Sequence, residues 1–275
     1  MKTFAWILAL GLPLVAQVDN TAKVYQSAHR PRALAIIGDR YHSPIVMRDG
    51  LSTALVRENI PVTFLEDVTA LTAESLAEYQ LLIMARNGRY WPDGFVMRSP
   101  APKEGSAEQP VPDKPFREWM TEAQEHAISE FVARGGGLLA MHNAQTYYPP
   151  EYSKLVGATF GGHPHPYTFT IVVENPNHPI TAGVENYEIF DEQHMSKYTL
   201  DSEHLLLRSL SRENVEAAAG WWQEVGKGRV CYLTPGHTPE ALNHPMTQRL
   251  MRNAARWLVH EDGEGVSSHP GSVSK

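Results

Sequence analysis

The chain of 275 residues has a single cysteine, no long basic run and only one long apolar run without charge. Cys231 alone forms no disulfide within the chain and cannot supply an all-cysteine metal site. Lys and Arg number 24 against 31 Asp and Glu, a formal charge of −7, so the backbone of a nucleic acid is not an expected partner. With 42% hydrophobic and 20% charged residues, the composition is that of a globular protein rather than a disordered one.

The long apolar run, residues 4–16 (FAWILALGLPLVA), follows the positive charge of Lys2. It is shorter than the roughly 20 residues that span a bilayer, but it suits the core of a secretory signal peptide ending at the small residue Ala16. We therefore expect residues 1–16 to be removed and the mature protein to be periplasmic or secreted, with no membrane span after cleavage. A buried N-terminal element and an uncleaved anchor are the alternatives.

Short apolar segments alternate with segments of helical periodicity in the first half of the chain. The apolar segments are typical of strands buried on both faces and lie at residues 33–38, 61–65, 81–85 and 137–141. Helices are predicted between them, at residues 43–59, 75–79 and 118–134. This order predicts an α/β fold with a doubly wound, mostly parallel sheet of the flavodoxin-like type and local strand order 2-1-3-4. In such sheets ligands bind at the carboxyl ends of the strands, here between the strands ending at Gly38 and Ala85.

The second half has more strands and fewer helices. Strands are predicted at residues 168–173, 187–190, 204–209, 216–222 and 229–233, and a helix at 243–259. We expect antiparallel additions to the sheet that end in a last central strand at 229–233.

These elements define one domain at residues 33–260, between a linker at 17–32 and a flexible tail at 261–275. Residues 87–117 contain six prolines and show no periodicity. A stretch of this length without regular structure is uncommon inside a compact domain. It is either a lid over the site or a surface insertion that makes no contact with ligand.

Polar residues follow several of the predicted strands, where a site is expected. They include three of the 13 histidines and are Asp39, Arg40, Tyr41, His42, Arg86, Asn87, His142, Asn143, Gln145, His237 and Thr238. A single histidine at the end of a strand is usually structural. Histidines and carboxylates at several independent strand ends favour a shared functional site.

Two further motifs combine groups that suit acid–base chemistry or metal binding. In the sequence GHPHP, His163 and His165 share a face if the backbone is extended, as the flanking prolines favour. In the sequence DEQH, Glu192 and His194 point the same way on a strand and adjoin Asp191. Imidazoles with carboxylates suit zinc or a similar divalent ion, whereas recognition of sugar hydroxyls by the same groups needs no metal. Exposed loops are the structural alternative for both motifs.

Two aromatic pairs, Tyr147–Tyr148 and Trp221–Trp222, could stack on the apolar faces of sugar rings. Packing in the core is the alternative for each pair.

Several segments make the chain resemble the ThuA-like (trehalose utilization) family over residues 33–258. They are GGGLLAMHNA (135–144), the stretch from LVGATFGGHPHP (155–166) to ENPNHPITAG (174–183), YEIFDEQHM (187–195), and residues 231–258 from CYLTPGH onward. The resemblance implies a class I glutamine amidotransferase-like fold and a link to sugar catabolism through 3-keto-glycosides. It also implies a polar site at the strand ends, formed by His142, His163, Asp191, Glu192 and His237.

His142 stands at the strand tip where class I glutamine amidotransferases carry their nucleophilic cysteine. Cys231 lies instead inside the apolar run RVCYL, where a buried packing role is expected. Thiolate chemistry requires an accessible, activated cysteine, so the protein is not expected to be a glutamine amidotransferase.

The leading hypothesis is an exported enzyme of carbohydrate breakdown, of hydrolase, lyase or isomerase type. It would act on a glycoside or keto-sugar, such as a 3-keto-glycoside, by acid–base chemistry. The alternative is a non-catalytic sugar-binding module on a degenerate amidotransferase-like fold. The catalytic residues predicted are His142, Glu192 and His237. The predicted substrate-binding residues are Asp39, His42, Arg86, Asn143, Asp191 and Trp222. The metal ligands predicted, should an ion bind, are His163, His165 and His194.

Overall fold

A nine-stranded mixed sheet organises the part of the chain that the computed structural model describes, namely residues 30–92, 94 and 115–260. Within these residues the strands are β1 (Ala33–Ile37), β2 (Val62–Leu65), β3 (Leu81–Ala85), β4 (Arg89–Tyr90), β5 (Arg117–Glu118), β6 (Gly137–Met141), β7 (Ala158–Thr159), β8 (Tyr167–Val173), β9 (Tyr187–Asp191), β10 (Lys197–Tyr198), β11 (Leu205–Leu210), β12 (Glu216–Val225) and β13 (Gly228–Leu233). The predicted signal peptide, the tail at 261–275, and most of the linker and of the proline-rich segment lie outside the described residues.

The helices lie between these strands and after the last one. They are α1 (Pro44–Val56), α2 (Ala73–Leu76), α3 (Glu122–Ala133), α4 (Pro150–Val156), α5 (Pro239–Asn243) and α6 (Pro245–Leu258). Single 3₁₀ turns occur at Val68–Ala70, Pro179–Thr181 and Ser202–His204. In this part of the chain, no helix has both the length and the apolar character that a membrane span requires.

The strand order is β2-β1-β3-β6-β13-β12-β11-β8-β9. The first five strands run parallel to one another, and β12, β11, β8 and β9 continue the sheet through antiparallel pairs. The predicted parallel order 2-1-3-4 is therefore confirmed, with β6 as the fourth strand. The predicted antiparallel additions and the central position of the last strand are confirmed as well.

Both faces of the sheet are covered, which explains why the central strands are apolar throughout. Along β1, Ala33 and Ile37 join the core under α1 and α6, while Leu34 and Ile36 join the core under α3 and α4. Alternate residues of a strand point to opposite faces, so each face of a doubly covered sheet needs apolar side chains.

Local signals fix where the helices begin. The Ser43 side chain accepts the Val46 amide before Pro44 opens α1. At α3, Thr121 and Gln124 form a reciprocal capping box, so the helix begins at Glu122 rather than at the predicted residue 118. Residues 117–118 instead pair with β4 as a short strand.

The parallel strands all end at one edge of the sheet. Asp39 and His42 follow β1, Asn87 follows β3, His142 follows β6, and His237 follows β13. This edge carries the candidate site.

Candidate functional site

One buried carboxylate lies at the centre of four imidazoles. The Oε2 atom of Glu192 is 3.3 Å from His142 Nε2, 3.3 Å from His237 Nδ1, 3.5 Å from His163 Nε2 and 3.7 Å from His194 Nε2. Only 4% of the Glu192 side chain is exposed, and only 1% of His142. His163 is the most accessible of the four, at 32%. A single carboxylate thus organises groups from four separate segments.

The backbone at the tip of β6 is bent so that His142 faces this carboxylate. His142 has a positive φ of 49°, a conformation uncommon for residues other than glycine. Its ring Nδ1 is 2.9 Å from the carbonyl oxygen of Thr234, and its backbone carbonyl accepts the Tyr232 hydroxyl. A Cβ atom on Gly236 would lie 2.9 Å from that of His142, so only glycine allows the two turns to approach this closely.

Asp191 holds the turn that carries His237. Its Oδ2 accepts the Gly236 amide at 2.8 Å, and its Oδ1 accepts the amides of His237 and Thr238 at 3.0 and 3.1 Å. Burial raises the pKa of Asp191 to about 6, although these amides and the neighbouring His142 favour its charged form. Both oxygens of Asp191 therefore accept backbone amides of the turn, and the substrate-binding role of Asp191 stays a prediction.

A second carboxylate, Asp39, orients His42 on the other side of the cluster. Its Oδ1 lies 2.7 Å from His42 Nδ1, and its Oδ2 accepts the Asn87 amide at 3.0 Å and the side-chain amide of Asn143. Burial would raise the pKa of Asp39, but its contacts with His42 and the amides of Tyr41 and Asn87 lower it to about 2. Asp39 is consequently ionised at neutral pH and fixes the orientation of the His42 ring.

The electrostatic environment at the centre of the cluster favours the ionised form of Glu192. Burial would raise the pKa of Glu192, but the imidazoles of His237, His142 and His194 hold it well below its ordinary value. Burial lowers the pKa of both His194 and His237 to about 3, which keeps these rings neutral at pH 7. For His142, burial is outweighed by Glu192 and Asp191, and the pKa is raised.

Glu192 and three of its four imidazoles, those of His163, His194 and His237, line a cavity of about 230 Å³, while His142 lies behind them. The walls of this cavity include Tyr41, Tyr147 and Phe160, and its polar lining includes Asn87 and Thr146. A larger cavity, of about 610 Å³, lies between α2 and α3. No imidazole lines that larger cavity among the residues described, whereas the smaller one brings acid–base groups and aromatic rings together.

Comparison with known families and structures gives this arrangement a context. The ThuA family profile, described as trehalose utilisation, matches residues 21–258. The chain belongs to the ThuA family. No curated protein matches it.

Several solved structures, two of them of proteins described as ThuA-like, share the fold. One, described as ThuA-like and from Parabacteroides merdae, is 15% identical, with 84% of this chain and 90% of that one covered and a TM-score of 0.61. Another, from Bacteroides uniformis, is 19% identical, with 86% and 96% covered and a TM-score of 0.58. A cytoplasmic protein from Salmonella typhimurium is 12% identical, with 83% and 99% covered and a TM-score of 0.55. At these identities the likeness concerns the fold alone, which is glutamine amidotransferase-like as predicted.

In this ThuA protein, most of the predicted site residues come together. The residues that meet at the cluster or within one hydrogen bond of it are Asp39, His42, His142, Asn143, His163, Glu192, His194 and His237. The cavity at the cluster is also bordered by His42, which follows β1, and by Asn87, which follows β3, the strand ends between which the site was expected. The Asn87 amide donates to Asp39 and joins these two loops.

Three predicted residues lie elsewhere. The Trp222 ring packs against His178, His204 and Trp257 and against the core, so the structure does not bring it to the cavity. Arg86 donates to the carbonyl of Glu66 and faces a separate small cavity. His165 is exposed and is not part of the cluster formed by its neighbour His163.

Only one member of the two aromatic pairs lines the cavity. Trp221 is fully buried and stacks on Tyr232, and the Tyr148 hydroxyl donates to the Arg86 carbonyl. Tyr147 alone lines the cavity, while Phe160, which the sequence analysis did not single out, forms another part of its wall. Phe160 sits two residues before the GHPHP motif, and this proximity is the signal that could have identified it.

Proposed function

We propose that this ThuA protein is an exported enzyme of carbohydrate breakdown that acts on a glycoside or keto-sugar, such as a 3-keto-glycoside. The family supports a role in carbohydrate use. The observation that carries the catalytic part is the convergence of four imidazoles on the Glu192 carboxylate at the floor of a cavity.

The cavity suits one sugar ring. Its volume of about 230 Å³ is below the lower limit of roughly 300 Å³ for pockets that enclose drug-sized ligands. Tyr147 and Phe160 offer aromatic faces to the apolar side of a ring, while Asn143 and His163 offer hydrogen bonds to hydroxyl groups. We infer that a single sugar unit enters and that the rest of a glycoside stays outside.

The placement of the cluster suggests how the reaction is divided among its members. Glu192 would remove a proton next to a sugar carbonyl or activate water, and His142 would polarise the carbonyl oxygen. His237, held by the Asp191-bound turn with its Nδ1 3.3 Å from Glu192 Oε2, would receive this proton from Glu192 and deliver it to the departing oxygen. This division of roles accounts for why the imidazoles approach one carboxylate from different segments.

Activity of the purified wild-type protein toward trehalose, other glucosides and their 3-keto derivatives tests the proposal, with products followed by NMR. We expect turnover of at least one of these sugars and a loss of about 10²- to 10⁴-fold in Glu192→Gln, the range for removal of an acid–base group. Glu203→Gln is the matched control, because Glu203 is largely exposed and its carboxylate contacts only the ring of its neighbour His204 among the ion pairs described.

Two outcomes would contradict the proposal. Equal sugar binding by wild type and Glu192→Gln without turnover would make the protein a sugar-binding module. If the protein neither bound nor turned over any of these sugars, the proposal that its substrate is a carbohydrate would be refuted.

A further inference from the structure

Three ring nitrogens in the cluster lack a hydrogen-bond partner among the described residues. They are His42 Nε2, His142 Nε2 and His237 Nδ1. The His42 and His142 side chains are only 6% and 1% exposed, so water does not replace the missing partners at their surfaces. An unpaired polar atom at such a depth is costly, and native proteins rarely leave several together.

In two of these rings, those of His142 and His42, the contacts of the other ring nitrogen, Nδ1, show which nitrogen carries the proton. His142 Nδ1 faces the Thr234 carbonyl oxygen at 2.9 Å, and a carbonyl oxygen only accepts, so Nδ1 donates the proton. His42 Nδ1 lies 2.7 Å from the ionised Asp39 and 2.8 Å from the side-chain nitrogen of Asn143. The charged carboxylate is the stronger partner, so Nδ1 donates its proton to Asp39. In the neutral tautomers, Nε2 of each ring then presents a lone pair to the cluster. A histidine that ligates a metal characteristically donates its other N–H to a carbonyl or carboxylate in this manner.

His142 Nε2 and His237 Nδ1 each face a carboxylate oxygen. Glu192 Oε2 is 3.3 Å from both nitrogens, yet neither contact has hydrogen-bond geometry. A neutral His142 would repel this carboxylate unless a cation lies between them, and either a second proton on the ring or a metal ion meets that need. Donors bonded to a tetrahedral ion at 2.0–2.1 Å lie about 3.3 Å apart, which is the observed spacing.

We propose that His42, His142, His237 and Glu192 bind one divalent first-row transition-metal ion of the zinc type. Their four donor atoms all lie within 4.8 Å of one another. Three imidazoles with one carboxylate favour zinc and its neighbours over Mg²⁺ or Ca²⁺, which prefer sets composed of oxygen ligands. Asp39 would act from outside the ligand set by orienting His42.

The same reasoning separates this set from the ligands predicted from the sequence. His163 and His194 also approach Glu192, but His194 Nδ1 lies 3.3 Å from the amide nitrogen of Gln145. That amide nitrogen donates, so the His194 proton is on Nε2 and points at Glu192. His194 is then a hydrogen-bond donor to the carboxylate rather than a ligand, and His165 lies outside the cluster.

Binding of the ion does not depend on the nature of the substrate, whereas its use in catalysis rests on the proposed function. A bound ion of this type polarises a carbonyl oxygen or lowers the pKa of a coordinated water. These are the tasks that a keto-sugar or glycoside substrate requires. With the ion bound, Glu192 and His237 would serve as its ligands, and the ion would polarise the carbonyl or activate the water in their place.

Titration of the full-length, chelator-treated protein with Zn²⁺ tests the site, with binding followed by competition with a chromophoric chelator. We expect one Zn²⁺ per chain, and visible absorption bands when Co²⁺ replaces it. His42→Gln and His237→Gln should each weaken Zn²⁺ binding at least 100-fold, and Asp39→Asn should weaken it about 10- to 100-fold, as expected for a group that orients a ligand. His126→Gln, an exposed change on α3, is the matched control and should leave the affinity unchanged.

The site would be overturned if folded wild-type protein bound no Zn²⁺ and gave no Co²⁺ bands. It would also be overturned if His163→Gln and His194→Gln abolished binding while His42→Gln and His237→Gln retained it. Circular dichroism of each variant separates loss of the ligand from loss of the fold, and the Co²⁺ spectrum of wild type needs no variant. Sugar turnover by metal-free protein would refute a catalytic role for the ion and leave the proposed function intact. Zn²⁺ binding by a protein that neither binds nor turns over sugar would support the metal site and refute the proposed function.

Discussion

Asp191 offers the sharpest test of how the fold positions the site. Its two carboxylate oxygens accept the backbone amides of Gly236, His237 and Thr238, and its side chain is fully buried. In Asp191→Asn one oxygen becomes an NH₂ group, which can only donate. Two amides share Oδ1 and one contacts Oδ2, so the new NH₂ should replace Oδ2 and face the Gly236 amide, donor against donor.

The cost follows from the three bonds. A hydrogen bond to a charged group contributes about 1.5–3 kcal/mol, and the substitution removes one such bond and leaves the buried Gly236 amide without an acceptor. The bonds to His237 and Thr238 survive but weaken, because a neutral oxygen accepts less strongly than a charged one. Removal of a buried charge offsets part of this loss. We expect a net decrease of about 3 kcal/mol in the free energy of unfolding.

Urea-induced unfolding, followed by circular dichroism, measures this change. Asp201→Asn is the matched control, because Asp201 lies at the start of an exposed 3₁₀ turn and its side chain makes no capping bond. The control should leave the free energy of unfolding within about 0.5 kcal/mol of wild type. If Asp191→Asn were equally benign, the turn that carries His237 would not depend on this carboxylate, and the argument for its position would fail.

Two further predictions concern the lone thiol and the N-terminus. Burial raises the pKa of Cys231, which lies in the centre of β13, so the native thiol should not react with a chromogenic disulfide reagent at neutral pH and should react fully once the chain is unfolded. Reaction in the native state would contradict the packing role of Cys231. The proposed export predicts that native protein isolated from the source cell lacks residues 1–16 by mass spectrometry, and an intact Met1 in a cytoplasmic pool would count against it.

The strands of the parallel half were the most predictable part of the fold. β3 and β6 begin and end at the predicted residues, because an apolar run that is buried on both faces stops where the chain leaves the sheet. Helix ends were less predictable. The sequence Thr-Glu-Ala-Gln at 121–124 contains the capping box that starts α3, but apolar periodicity alone extended the helix back to residue 118. The short helices α4 and α5 carry too few turns to show a period.

The site was predictable as a set of strand-end residues but not as a geometry. Parallel topology brings His142 and His237 to one edge, so their meeting follows from the order of the strands. Which ring faces which oxygen depends on turns between the strands. The sequence analysis grouped His163 with His165 by spacing, whereas the backbone around Gly161, whose Cβ position would lie 2.0 Å from the Met195 carbonyl, packs the loop of His163 against that of His194.

The tip of β6 shows why this fold can support different chemistry at one position. A residue at a strand-to-loop turn with positive φ projects its side chain away from the sheet toward the ligand-binding edge, whatever the chemical group of that side chain. A cysteine there would present a nucleophile, but this chain presents the imidazole of His142. Its Nδ1 is held by the Thr234 carbonyl, and its Nε2 faces Glu192. Since the thiol of Cys231 is in the core, the groups that the candidate site offers are imidazole and carboxylate. The chemistry to be expected from them is proton transfer and ion binding rather than formation of a thioester.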